Sequence, residues 1–198
     1  MTKVDSLDTT SDWLQSVFAE TIALHQRFVS IGIGSIAGAA DMISRSLSGG
    51  QKVLAFGNGG SASDAQHLVA ELVGRFERER MGLAALALTP DANVVTAIAN
   101  DYGYDVIFSR QIQALGRAGD VAFGISTSGA SRNVLLGLQE ARRLGMQTVA
   151  LTGRDGGTVG AAADVHINVP HLSTARVQEV HRTILHALCG VVEERMCG

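Results

Sequence analysis

The sequence predicts an α/β fold, a three-layer sandwich in which a parallel sheet lies between two layers of helices. Short apolar runs of four to six residues recur along the chain, separated by segments with helical periodicity. This is the pattern of buried parallel strands joined by right-handed crossovers. Twenty-three glycines, two prolines and 5% aromatic residues fit many tight strand-to-helix turns better than an aromatic-rich β-sandwich. Hydrophobic residues make up 46% and charged ones 18% of 198 residues, enough to bury one sizeable core, which excludes a disordered chain. The net charge of −3, from 16 basic and 19 acidic side chains, excludes a basic nucleic-acid binder.

Taken in order, residues 1–12 hold three aspartates, one lysine and no apolar run, so they do not read as a secretory signal. Residues 11–48 read as two N-terminal helices, the first capped by Ser11, with Trp13, Leu14, Val17, Phe18, Leu24 and Phe28 at helical spacing. They precede an α/β core over 52–198 with strands expected at 53–56, 83–88, 121–125, 148–151 and 165–169, and a last helix at about 175–196. No repeat or linker divides the chain, so the N-terminal helices are expected to pack on the sheet or on a partner chain. No stretch has the length and apolarity to span a bilayer. Cys189 and Cys197 form no CxxC pair, which points to a reducing, cytoplasmic setting. The only lysines, Lys3 and Lys52, sit in no GxxxxGK[ST] loop, which excludes a P-loop nucleotide hydrolase and leaves Schiff-base chemistry poor candidates.

In an open parallel sheet the ligand lies beyond the carboxyl ends of the strands. After the first strand come Gly57-Asn58-Gly59-Gly60-Ser61 and a helix start, where glycines admit a ligand to the backbone and unpaired N–H groups face it. Gly57, Gly59 and Ala62 also match GxGxxA, a dinucleotide fingerprint, but its acidic partner is missing at the expected distance; Asp91 stands too far on, after Pro90. After the third strand, Ser126, Thr127, Ser128 and Ser131 surround Gly129, donors suited to a phosphate monoester. Helix capping alone is the plainer explanation, although one or two hydroxyls would suffice for it.

The helix after Gly60 carries an apolar stripe of Ala65, Leu68, Val69, Leu72, Val73 and Phe76, with Asp64, His67, Glu71 and Arg75 on the other face. Such a face is ordinarily solvated, yet His67 and Glu71, one turn apart, could share a proton transfer or two positions around a metal. In the last helix His181 falls within the stripe of Val177, Val180, Ile184, Leu185, Leu188 and Val192, as a core or interface histidine would. His186 projects away from it, in line with Gln178 and Arg182. Gln178 and His186 are about 12 Å apart along an ideal helix axis, awkward for two ligands of one ion.

Six segments in unbroken order carry a resemblance: Gly57-Asn58-Gly59-Gly60-Ser61, Asp64-Ala65-Gln66-His67, Glu71-Leu72-Val73-Gly74-Arg75-Phe76, Asn100-Asp101-Tyr102-Gly103, Ser126-Thr127-Ser128-Gly129 and Val177-Gln178-Glu179-Val180-His181. Together they resemble the phosphoheptose isomerases, sedoheptulose 7-phosphate isomerases of the sugar isomerase (SIS) fold. The resemblance implies one flavodoxin-like SIS domain over 1–198 with a five-stranded parallel sheet, and a homotetramer with active sites at subunit interfaces. It implies conversion of sedoheptulose 7-phosphate to D-glycero-D-manno-heptose 7-phosphate without a nucleotide cofactor. On matching positions, Ser126, Thr127, Ser128 and Ser131 would hold the phosphate, and Asn58, Gly59, Gly60, Ser61, Asn100 and Asp101 would line the sugar site with Arg75 and Gln178 near the substrate. Glu71 and His186 match the base and acid, and His67, Glu71, Gln178 and His186 match a zinc site, one ion per subunit. A zinc-ligated Glu71 would lose basicity, so the two roles compete. The other class implied is a non-catalytic SIS-fold tetramer similar to the protein that associates with the bacterial replication initiator.

Overall fold

The computed structural model describes residues 4–197; residues 1–3 and 198, and with them Lys3 and both ends of the expected domain, lie outside it. The chain runs α1 (Val4–Ser48), β1 (Val53–Gly57), α2 (Gly60–Val73), β2 (Ala85–Ala87), α3 (Ala92–Tyr102), a 3-10 turn (Tyr104–Val106), α4 (Ile107–Leu115), β3 (Val121–Ser126), α5 (Arg132–Arg143), β4 (Gln147–Gly153), α6 (Gly157–Ala161), β5 (Val165–Val169) and α7 (Thr174–Cys197). All pairings in the five-stranded sheet are parallel, in the order β2-β1-β3-β4-β5, the expected flavodoxin-like arrangement.

Alternation along the strands sorts the core into two layers. Val53, Ala55, Phe123, Ile125, Val149, Leu151 and Ile167 pack with α1, α2 and α7; Leu54, Phe56, Ala122 and Ala150 pack with α4, α5 and α6. The central strands β1 and β3 are buried along their whole length, as strands covered on both faces must be. The expected second strand shrinks to the edge strand β2, three residues long.

The two expected N-terminal helices are one helix of 45 residues, and Ser11 lies inside it, accepting from Gln15 Nε2 instead of capping an end. No proline interrupts this stretch, and Leu24, Phe28, Ile36 and Ile43 bury one face of α1 against α7 and β5, outweighing the helix cost of Gly32, Gly34 and Gly38. Arg176, from α7, donates to Val17 O at 2.7 Å and Thr21 Oγ1 at 2.9 Å, fixing the two helices together. Trp13 and Phe18, expected in the apolar stripe, stay 62% and 67% exposed on the face of α1 turned from the core. Among the described residues no helix is long and apolar enough to cross a membrane.

Candidate active site

Reversal of strand order between β1 and β3 opens a crevice at their carboxyl ends, and the two expected site loops border it. On the β1 side, Gly59 has φ +54°, open to glycine and strained for other residues, and the following helix has no side-chain cap. Asn58 makes a reciprocal amide pair with Asn133, at 2.8 and 2.9 Å, and accepts from Tyr104 Oη at 3.1 Å. Its amide thus braces the β1 loop against α5. Asn133 and Tyr104 carried no sequence signal of their own, because their role exists only across the crevice. Ser61 is buried at the start of α2, and Gly60 lies directly beneath the Gln178 side chain.

The loop after β3 folds its hydroxyls inward. Ser126 Oγ lies 2.8 Å from Ser131 Oγ and 3.3 Å from Ser128 Oγ, and Ser128 Oγ accepts from Ala130 N at 3.2 Å. Ser131 stands at the N-cap of α5 yet makes no capping bond through its side chain. Capping therefore does not explain these serines. They form a cluster that can turn its O–H groups toward an anion, at the N-terminus of a twelve-residue helix.

The face of α2 opposite its apolar stripe is partly covered by α7, over Asp64, His67 and Glu71, while Arg75 stays exposed. His67 Nε2 lies 2.7 Å from His186 Nε2 and 3.4 Å from Glu71 Oε1, and one ligand atom from each of the three falls within 4.8 Å of the others. Phe76, just beyond α2, places its ring 5.6 Å from that of His186. Burial and the Arg182 cation hold His67 below the ordinary histidine range, against the pull of Glu71. The expected stripe fails at Val73, which is half exposed where α2 ends at Gly74.

Asp64, one turn before His67, is 3% exposed. Its Oδ1 pairs with Arg182 at 2.8 Å, and its Oδ2 is buried with no hydrogen-bond partner among the described residues. Burial raises its pKa, and Arg182 works against that rise. Asp64, Gly60, Gln178 and Arg182 line a cleft of about 390 Å³ beside the histidines. By helical periodicity Asp64 is a polar residue of a helix face; only the packing of α7 buries it. Asn100, Asp101 and Arg75 do not join these groups within the chain. Asn100 Nδ2 donates to Asp101 Oδ1 at 2.8 Å on the exposed end of α3, and Arg75 faces Glu79 at 3.7 Å. Gln178 lies two turns from His186 along continuous α7, so the helix has no break to bring them together. The acid that a dinucleotide site would need is committed elsewhere: Asp91 caps α3, accepting from Asn93 N and Val94 N.

A buried clamp sets the crossing of α2 and α7. Arg80 donates to Glu71 O at 2.7 Å and to Leu72 O at 2.8 Å, carbonyls left open at the end of α2. Its Nε lies 3.1 Å from Glu193 Oε1 as an ion pair without hydrogen-bond alignment, and Glu193 also accepts from the backbone N–H groups of Phe76, Glu77 and Arg78. Burial pushes the Glu193 carboxyl up, but those three donors and Arg80 outweigh it and hold it below the usual range.

Fold and site together define an α/β domain of the SIS class, and the family model described as SIS domain matches residues 17–153. The phosphoheptose isomerase of Geotalea daltonii is 57% identical over 163 residues, 82% of this chain and 85% of that protein. That of Aquifex aeolicus is 50% identical over 184 residues, 93% and 96% of the two chains. Among solved structures, phosphoheptose isomerase from Neisseria gonorrhoeae matches with a TM-score of 0.89 at 46% identity, over 93% of this chain and 99% of that one. The chain belongs to the phosphoheptose isomerase family of SIS-domain proteins.

Proposed function

We propose that this chain is a cytoplasmic ketose–aldose isomerase converting sedoheptulose 7-phosphate to D-glycero-D-manno-heptose 7-phosphate through an enediol. The observation that carries the reading is the meeting of His67, Glu71 and His186, two of them on α2 and one on α7. Glu71 takes the proton from C1 and returns one to C2, while His186 moves the proton between the two substrate oxygens. The cluster of Ser126, Thr127, Ser128 and Ser131 holds the phosphate, and Asn58, Gly59, Gly60 and Ser61 line the sugar.

The donor set fits zinc. Two imidazole nitrogens 2.7 Å apart need a proton or a cation between them, and a carboxylate oxygen completes a nitrogen–oxygen set that zinc accepts. His67, Glu71 and His186, with Gln178 as the fourth residue implied by the family, would hold the ion, which would polarise the substrate oxygens. The exposed Trp13, Phe18, Ile22, Val29 and Ile33 on α1 support a homotetramer, in which a second chain could bring Gln178, Arg75, Asn100 or Asp101 to a site.

A coupled assay with sedoheptulose 7-phosphate tests the reaction, and absence of turnover with and without added zinc would overturn it. Protein purified without chelator is expected to contain zinc and to lose activity on chelation, with recovery on re-addition. Full activity at zero metal content would assign the chemistry to Glu71 and His186 alone. Light scattering at micromolar concentration is expected to give a tetrameric mass; a monomer would remove the shared site.

A further inference from the structure

A phosphate monoester is close to a dianion at neutral pH, yet the hydroxyls of the loop at 126–131 are neutral. Beside that loop stands a cation that no helix or strand pattern singles out. Arg154, directly after β4, is the only non-glycine among the described residues with positive φ, +55°. An L side chain occupies that region at an energetic cost, and the surrounding structure must impose it. Here both sides of the residue are tied: its N–H donates to His171 O at 3.2 Å, and its carbonyl accepts from Asn168 Nδ2 at 3.1 Å. Its guanidinium has no hydrogen bond or ion pair among the described residues.

The loop that carries Arg154 is built against the hydroxyl loop. Val159 N donates to Gly129 O at 3.0 Å, and Gly129, at φ +67°, lies in backbone contact with Gly156 and Gly157. Between them opens a cavity of about 690 Å³, lined by Ser128, Arg154, Asp155, Thr158 and His171 among others. An exposed, strained and unpaired arginine sharing a cavity with a phosphate-loop serine is placed for an anion.

We propose that Arg154 is a specificity residue of the phosphate subsite, supplying the positive charge that the serines and threonine lack. The proposal rests on the isomerase reading and deepens it: the ligand recognised is a doubly charged phosphate monoester, held by neutral donors on one side and a guanidinium on the other. Asp155 lines the same cavity, so loss of Arg154 leaves a wall whose one remaining carboxylate repels the ligand.

The test uses the full chain, with sedoheptulose 7-phosphate for kinetics and inorganic phosphate for calorimetry. Arg154→Gln should raise KM and the phosphate Kd by about tenfold and leave kcat nearly unchanged, because the contact is equal in ground and transition states. Arg154→Lys should recover part of the loss, since it restores charge without the planar fork. Arg154→Gly should weaken phosphate as the glutamine variant does, with a Tm no lower than the parent, because glycine relieves the φ strain. Unchanged KM and Kd in Arg154→Gln, or a lowered Tm with unchanged affinity in Arg154→Gly, would overturn the proposal and make Arg154 structural. If the parent chain fails to turn over the sugar phosphate, the isomerase reading falls, while the inorganic phosphate titration still decides the role of Arg154.

Discussion

The corner where α2 crosses α7 and the loop after β3 are assembled in different ways. In the loop, Ser126, Ser128 and Ser131 lie within six residues and reach each other and the local backbone. In the corner, His67 and His186 are 119 residues apart and meet only because the Arg80–Glu193 clamp and the buried faces of α2 and α7 set their crossing. The loop relies on neutral hydrogen bonds, individually modest; the corner holds ionisable groups in a partly desolvated cleft, where each is worth more to chemistry. A site made of loop hydroxyls is thus tolerant of losing one member, and a site made where two helices cross is not.

That contrast can be broken by substitution. The largest effect is expected for Glu71→Gln, which keeps shape and removes basicity: kcat should fall at least about 100-fold with the fold intact by circular dichroism. Near-normal turnover would take the base away from the corner altogether.

His181 sharpens the comparison, since it sits on α7 five residues before His186 but serves the strand ends. It is fully buried, Nε2 donates to Thr152 O at 2.9 Å, and burial lowers its pKa from 6.5 to about 4. The unfolded chain protonates this histidine below about pH 6.5 while the folded chain does not until about pH 4, so its stability contribution is whole above pH 6.5 and is lost as pH falls. The loss should reach about 2 kcal/mol at pH 5. In His181→Gln the difference in unfolding free energy between pH 7 and pH 5 should shrink by about that amount; an equal difference in both proteins would show that His181 does not control it.

The smallest effect belongs to the loop. Ser128→Ala removes one neutral donor, about 1 kcal/mol or somewhat more toward a charged acceptor, and should raise KM several-fold while leaving kcat near its parent value. Unchanged affinity for sugar phosphate and inorganic phosphate would remove Ser128 from the phosphate site.

Much of this molecule follows from local pattern. The apolar runs found all five strands because a strand buried on both faces must be apolar throughout, and period alone put His181 in the core and His186 outside it. The clustering of the hydroxyls around Gly129 was legible because their partners are near in sequence. Other features had no local signature. One helix replaced two because α1 packs along α7 and β5, a long-range gain that no capping motif reports. The polar face of α2 looked like any solvated face until α7 covered part of it, and Asp64 looked exposed until it was buried against Arg182. Arg154 reads as one more loop arginine; its left-handed backbone comes from two hydrogen bonds to segments beyond it in the chain. Periodicity says which side of an element turns inward, because burial follows the element's own geometry. Which side chains then face one another across two elements depends on the packing angle and register between them, and those are properties of the folded chain as a whole.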